Sequence, residues 1–374
     1  RYCPFPRWFY GEKTVPLPPK EKKHRHMNML VTGASGFIGS YIVEDGLRRG
    51  HQVWAGVRGS SSRAYLRDGR TRFACLDLSD KALLVEQLRA LKAQTGGRGW
   101  DVVVHAAGAT KCLHADDFYR TNYDGTVHLV EALREAGMMP RRLVYLSSLS
   151  VFGAIREQPV RKPTASNPWV YAPILGTDTP QPNTDYGRSK WKAEQWLAAQ
   201  RDVPCTILRP TGVYGPRERD YFLMARSISR HIDFSVGYRP QEITFVYVMD
   251  VVQAVFKCAE SPQAEGRAYF LSDGQVYNSR RFSDLLQQSM GNPWVLHVKA
   301  PLWFLRGVCA LGGALGRVTG RMSALNMDKY HILSQRNWQC DIGPARRDFG
   351  YEPQWPLERG VPAAVRWYRE NGWL

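Results

Sequence analysis

Tyr186 and Lys190 stand four residues apart in Tyr186-Gly187-Arg188-Ser189-Lys190, and a serine pair, Ser147-Ser148, leaves an apolar run upstream of them. On a helix that spacing places the phenol and the ammonium on one face. A neighbouring positive charge lowers a phenol's pKa, so such a tyrosine can pass a proton near neutral pH, and a serine hydroxyl can hold the reacting oxygen beside it. Tyrosine and lysine four apart are common on solvated helix faces. Their meaning here comes from what precedes them.

That is the stretch Met29-Leu30-Val31-Thr32-Gly33-Ala34-Ser35-Gly36-Phe37-Ile38-Gly39, an apolar strand running into three glycines spaced three apart. The first glycine permits a tight turn, the second lets backbone approach a pyrophosphate, and the third lets the following helix pack closely on the strand. The helix N-terminus, with unpaired N–H groups and the positive dipole end, then meets the anion. A second strand over residues 52–57 closes a βαβ unit, the context that a dinucleotide-binding fingerprint requires. An acid at the end of that second strand would bond a ribose 2′-hydroxyl and repel a 2′-phosphate. Val57 takes its place, followed by Arg58 and a run of serines. A guanidinium and hydroxyls suit a phosphate, so NADP is the expected cofactor and NAD the alternative.

The elements that must position these groups alternate regularly. Strands are expected over 28–32, 52–57, 71–76, 101–105, 142–147 and 205–209, and helices over 40–49, 81–92, 117–136 and 185–199. Such alternation means a parallel sheet covered on both faces, with ligands in the crevice outside the carboxyl ends of its strands. The chain has 374 residues, 44% of them hydrophobic, enough for one large α/β domain or a large and a smaller one. Seven scattered cysteines suggest neither a disulfide framework nor a metal site, and fit a reducing, cytoplasmic setting. The formal charge of +17 is spread along the chain rather than gathered into a nucleic-acid-binding stripe. No nucleic-acid partner is expected. Residues 1–26 lack apolar periodicity and read as a poorly ordered extension.

Taken together, these pieces resemble the extended short-chain dehydrogenase/reductase family. Thr32, Gly33, Ser35, Gly36, Phe37, Ile38 and Gly39 match its cofactor loop, and Tyr186 with Lys190 its Tyr-x-x-x-Lys pair. In Leu146-Ser147-Ser148-Leu149-Ser150-Val151, the position three before Val151 matches the family's active Ser/Thr, which selects Ser148. The resemblance makes Tyr186 the acid/base, Lys190 the residue that binds the nicotinamide ribose and tunes Tyr186, and Ser148 the substrate-oxygen ligand. It adds Asp77 and Leu78 at the adenine, Ala106, Ala107 and Gly108 beside the cofactor, Asn122 on the central helix, and Pro210 and Val213 along the nicotinamide amide. On burial habits His105 is expected to be a satisfied core histidine.

The resemblance implies a doubly wound Rossmann sheet, mainly residues 27–215, with a smaller C-terminal substrate-binding α/β region, mainly residues 216–374, in which the last Rossmann elements are interleaved. The closest pattern is that of dihydroflavonol reductases and 3β-hydroxysteroid dehydrogenases, hence hydroxyl–carbonyl interconversion on an apolar ring-type small molecule. A nucleotide-sugar epimerase or dehydratase is the enzyme alternative, and a non-catalytic dinucleotide sensor the third reading. Residues 243–248 read as one strand; against nucleotide sugars, its first residues are Ile243-Thr244, ahead of Phe245-Val246-Tyr247-Val248, where relatives carry a diphosphate-clamping arginine. Trp303, Phe304, Tyr221 and Phe222 are expected to line a pocket. Residues 301–318 read as a substrate-lid or core helix, with peripheral membrane contact as the minority reading. Helices 117–136 and 185–199 are those that form a homodimer contact in the family.

Overall fold

The computed structural model describes residues 26–97, 99–160, 170–239, 241–320, 323 and 325–374; the expectation for residues 1–26 therefore falls almost wholly outside the described residues. The strands in chain order are β1 (Asn28–Thr32), β2 (Gln52–Val57), β3 (Arg72–Cys75), β4 (Val102–His105), β5 (Arg142–Leu146), β6 (Cys205–Pro210), β7 (Gly212–Tyr214), β8 (Ile232–Val236), β9 (Glu242–Ile243), β10 (Phe245–Tyr247), β11 (Ala268–Leu271), β12 (Tyr277–Asn278), β13 (Leu296–Ala300) and β14 (Asn337–Trp338). The helices are α1 (Phe37–Arg48), α2 (Lys81–Gln94), α3 (Ala115–Tyr119), α4 (Gly125–Glu135), α5 (Asp185–Ala199), α6 (Asp220–Ser229), α7 (Val248–Glu260), α8 (Arg281–Ser289), α9 (Leu302–Thr319), α10 (Met327–Ser334), α11 (Gly343–Phe349) and α12 (Leu357–Glu370).

Strands β1, β4, β5 and β6 are buried almost throughout, because continuous apolar runs can only sit in a sheet covered on both faces. They form the middle of a seven-stranded sheet of order β11-β6-β5-β4-β1-β2-β3 in which every pairing is parallel. One face is filled by Ile42, Val43 and Leu47 of α1 with Val251, Val255 and Phe256 of α7. The other is filled by Leu84 and Leu88 of α2, Leu129 and Leu133 of α4, and Ala193 and Leu197 of α5. Chain order reverses between β1 and β4, whose carboxyl ends meet at the pair Thr32–His105. That switch point is where a crevice opens.

Four expectations are corrected. Residues 117–136 do not form one α-helix: α3 and α4 are joined by a π-helical turn, Arg120–Asp124. Residues 243–248 do not form one strand: β9 pairs with β12 and β14, whereas β10 pairs with β7. Thr244 sits at the change, its hydroxyl donating to the Trp338 carbonyl at 2.6 Å while its carbonyl accepts from Thr211 Oγ1 at 2.9 Å. Third, α9 is a helix but not a core helix, for Trp303 and Phe304 are exposed. Fourth, the other two aromatics proposed as pocket lining are half-buried and pack against the core instead. Tyr221 packs 4.9 Å from Phe282 and Phe222 packs 4.9 Å from Trp373, within an aromatic cluster under α6, α8 and α12.

Candidate active site

The glycine loop has the backbone its sequence requires. Gly33 has φ +68°, and a Cβ there would stand 2.6 Å from Ala107 N and 2.7 Å from the Ala106 carbonyl. A Cβ on Gly39 would stand 2.2 Å from the Gly33 carbonyl oxygen, so α1 can press on the turn only because glycine lies there. Gly36 is the N-cap of α1 and offers no side chain to the helix's first N–H groups, and the first turn holds no acid. A dinucleotide pyrophosphate fits there, because a helix N-terminus with neither a capping side chain nor an acid favours an anion.

Two features bring the serine and tyrosine segments together. Ser148 caps a short 3-10 turn, Leu149–Val151, its Oγ accepting from Ser150 N–H at 3.1 Å. Helix α5 begins at Thr184, which accepts from Gly187 N–H at 3.0 Å. A Cβ on Gly187 would lie 2.5 Å from the Ser150 carbonyl, so this glycine lets the start of α5 close on the turn that carries Ser148. Burial pushes the Tyr186 phenol above its ordinary pKa, and the neighbouring Ser148 hydroxyl, which donates to Ser150 Oγ at 3.1 Å, acts against that shift. The ring of Phe118 stands 6.3 Å from that of Tyr186.

One turn along α5, Lys190 is buried and donates to the Leu146 carbonyl at 2.9 Å, with its Nζ 4.8 Å from the centre of the Tyr145 ring. Burial depresses its pKa to about 8, and Glu194 acts against that shift. Glu194 is itself held by buried Arg209, whose Nη2 lies 2.5 Å from Oε2. A Cβ on Gly108 would stand 3.0 Å from both Lys190 Nζ and Asn122 Oδ1. Gly108, Asn122 and Lys190 thus meet at one point.

Asn122 explains the π turn. Its carboxamide accepts from Ala109 N–H at 2.8 Å, donates to the Ala109 carbonyl at 3.0 Å and donates to Ser189 Oγ at 2.9 Å. The widened turn aims this side chain at the loop after β4, the kind of functional placement that π-bulges serve. His105 behaves as the core residue expected. The Thr126 hydroxyl donates to the Asn122 carbonyl, so its oxygen receives the His105 Nε2–H at 3.0 Å, leaving Nδ1 to accept from Thr32 Oγ1 at 2.7 Å. Full burial drops its pKa to about 3 and keeps the ring neutral.

The remaining sequence-derived residues lie further out. Asp77 accepts from the N–H and hydroxyl of Ser79, bonds that hold its carboxyl below the usual range, with Arg58 adding a smaller effect. Arg58 is exposed at a turn closed by Ser61, and Leu78 offers its carbonyl to His128. Pro210 ends β6 and Val213 lies in β7, on the segment that leaves the carboxyl edge of the sheet. The structure adds residues that sequence reasoning did not find. Asp328 of α10 accepts from Asp185 N–H at 3.2 Å and so caps the helix carrying Tyr186 from a segment far along the chain, with no local signal. Glu194 was readable, one turn beyond Lys190 on the same face. Among the described residues no group of His, Cys, Asp or Glu could hold a metal, and Cys75, Cys112, Cys205, Cys258, Cys309 and Cys340 are free thiols.

Comparison with known proteins gives the family. The model of the NAD dependent epimerase/dehydratase family matches residues 29–278, and the chain belongs to that family. It is an NAD(P)-dependent enzyme of the extended short-chain dehydrogenase/reductase type. Sterol demethylase protein B of Methylococcus capsulatus is 28% identical over 358 residues, covering 93% of this chain and 100% of that protein. The 3 beta-hydroxysteroid dehydrogenase/Delta 5→4-isomerase of Mycobacterium tuberculosis is 25% identical over 368 residues, covering 91% and 90%. Among solved structures, dTDP-glucose 4,6-dehydratase of Streptomyces venezuelae with NAD and TYD bound superposes with a TM-score of 0.70 at 24% identity, over 92% of this chain and 98% of that one. That likeness concerns the fold.

Proposed function

We propose that this enzyme interconverts a hydroxyl and a carbonyl on an apolar, ring-type small molecule, with NADP(H) as its cofactor and Ser148, Tyr186 and Lys190 as its proton-handling set. The observation that carries the reading is the close approach of the start of α5, which bears Tyr186, to the turn that bears Ser148, with the Lys190 ammonium held one turn away against the Leu146 carbonyl. Residues 27–215 would chiefly hold the cofactor and residues 216–374 the substrate. The bound nicotinamide supplies or accepts the hydride. Tyr186 then gives or takes the proton at the substrate oxygen, and Ser148 orients that oxygen by a hydrogen bond. With a pKa of about 8, Lys190 is mainly protonated at neutral pH, and its charge favours the phenolate form of Tyr186. Asn122 and Gly108 leave the ammonium room and keep it in place. For the cofactor, Val57 brings no carboxylate to the ribose, and Arg58 stands near Asp77 with its guanidinium exposed.

The substrate class rests on what is missing and what is engaged. Ile243 takes the place of the diphosphate-clamping arginine, and Thr244 beside it is committed to the Trp338 carbonyl. Arg217 bonds Ser40 and Glu44 on α1 and stacks on Tyr41 and Tyr65, turned toward the cofactor helix. A guanidinium so engaged does not serve a sugar nucleotide. The relatives named for sterol and hydroxysteroid chemistry support the apolar reading. A panel of hydroxysteroids and flavonoid-like ketones against uridine, guanosine and thymidine diphosphate sugars, read by cofactor absorbance and thermal shift, tests it. Turnover of ring compounds is the expected result; saturable micromolar binding of a nucleotide sugar with no response to ring compounds would overturn it.

A further inference from the structure

Helix α9 is amphipathic the wrong way round for a protein interior. Its inward face is made of small or slender residues: Leu305 and Cys309 are buried, and a Cβ on Gly312 would stand 2.4 Å from the Leu325 carbonyl oxygen, so the segment leading to α10 lies directly on it. The large apolar side chains point outward. Trp303 is 76% exposed, Leu311 67% and Val318 85%, with Phe304 and Leu315 also exposed. Phe304, Leu311, Leu315 and Val318 follow one another at helical spacing and make one stripe, at whose start the Trp303 and Phe304 rings meet edge to face. An exposed stripe of this kind marks an interaction surface.

The charge around it says what covers it. No Asp or Glu occurs between Asp284 and Asp328, whereas Lys299, Arg306, Arg317 and Arg321 all fall in that span. Lys299 and Arg306 are exposed just before and within α9, and Lys299 lies over the exposed ring of Tyr238. The face thus offers hydrocarbon and aromatic rings, with cations and no carboxylate in the flanking sequence. Those are the elements by which an interfacial helix lies in the headgroup layer of an anionic bilayer. No described helix is long and apolar enough to cross a membrane, so contact would be in the plane of the surface.

We infer that the outward face of α9 docks this enzyme on anionic lipid bilayers. The docked helix adjoins the site: α10 follows it, and Asp328 of α10 caps the helix that carries Tyr186. The inference stands whatever the substrate proves to be, because it concerns a surface and not the crevice.

The test is sedimentation of the full chain with vesicles of phosphatidylcholine, with and without phosphatidylserine, alongside the double variants Trp303→Ser with Phe304→Ser and Leu311→Gln with Leu315→Gln. The wild type should sediment with the anionic vesicles and be released by high salt, and either double variant should partition roughly tenfold less or weaker still. Melting temperatures should be unchanged, since the altered side chains are exposed. A wild type that stays in solution, or variants that bind as well as it does, would overturn the inference. So would a wild-type dimer that the variants convert to monomer without any vesicle binding, because a second copy would then be what covers the face.

Discussion

Replacing Lys190 by Met should stabilise the cofactor-free protein while removing its turnover. Holding the ammonium at a pKa of about 8 instead of 10.5 costs the fold roughly 3 kcal/mol at neutral pH, where the lysine is charged in both folded and unfolded states. Methionine keeps the apolar stem and removes the charge, but leaves the Leu146 carbonyl without its partner, a loss of about 1–2 kcal/mol. The net expectation is a gain of about 1–2 kcal/mol at pH 7, read as a higher urea midpoint at unchanged slope. The sign with pH follows from the depressed pKa. Between pH 8 and 10.5 the folded lysine is neutral while the unfolded one is still protonated, so wild-type stability climbs through that window and the variant's advantage shrinks and then reverses. Turnover should fall by about a hundredfold or more, as the charge beside Tyr186 is lost. A variant less stable than wild type at pH 7, or a difference that does not change between pH 7 and 10, would show that the ammonium is not held at a cost.

Tyr186→Phe should cut turnover roughly a hundredfold or more with cofactor affinity nearly intact, and retention of more than about a tenth of wild-type turnover would remove the phenol from the acid/base role. NADP(H) should bind more tightly than NAD(H) in calorimetric titration, and Arg58→Ala should lose about 1–3 kcal/mol of that preference; equal binding in the wild type would refute the assignment. Glu194→Gln leaves Arg209 buried without its counter-charge and should cost about 3–5 kcal/mol in denaturant unfolding. By removing the charge that supports Lys190, it should also move the alkaline limb of the pH–rate profile downward. A change below about 1 kcal/mol would mean that the pair is solvated.

The local grammar of the chain was legible from the residues. The strands lining the switch point are continuous apolar runs, the turn after β1 needs glycine at Gly33 and Gly39, and the spacing of Tyr186 and Lys190 is a helical one, so the glycine loop and the helix of Tyr186 and Lys190 could be placed from the residues alone. Each of those features is decided within a few residues of itself. What the tertiary structure alone decided involves segments remote in sequence. The carboxamide of Asn122 finds its partners on the loop after β4 and on α5, and the helix widens to reach them. Gly187 looks like any helical glycine until the Ser150 carbonyl is seen against it, and Asp328 caps α5 from far down the chain. The run 301–318 has the composition of a core helix, yet composition does not say which face turns inward. Close approach of the Leu325 backbone puts the small residues of α9 inside and leaves Trp303, Leu311 and Val318 to the outside.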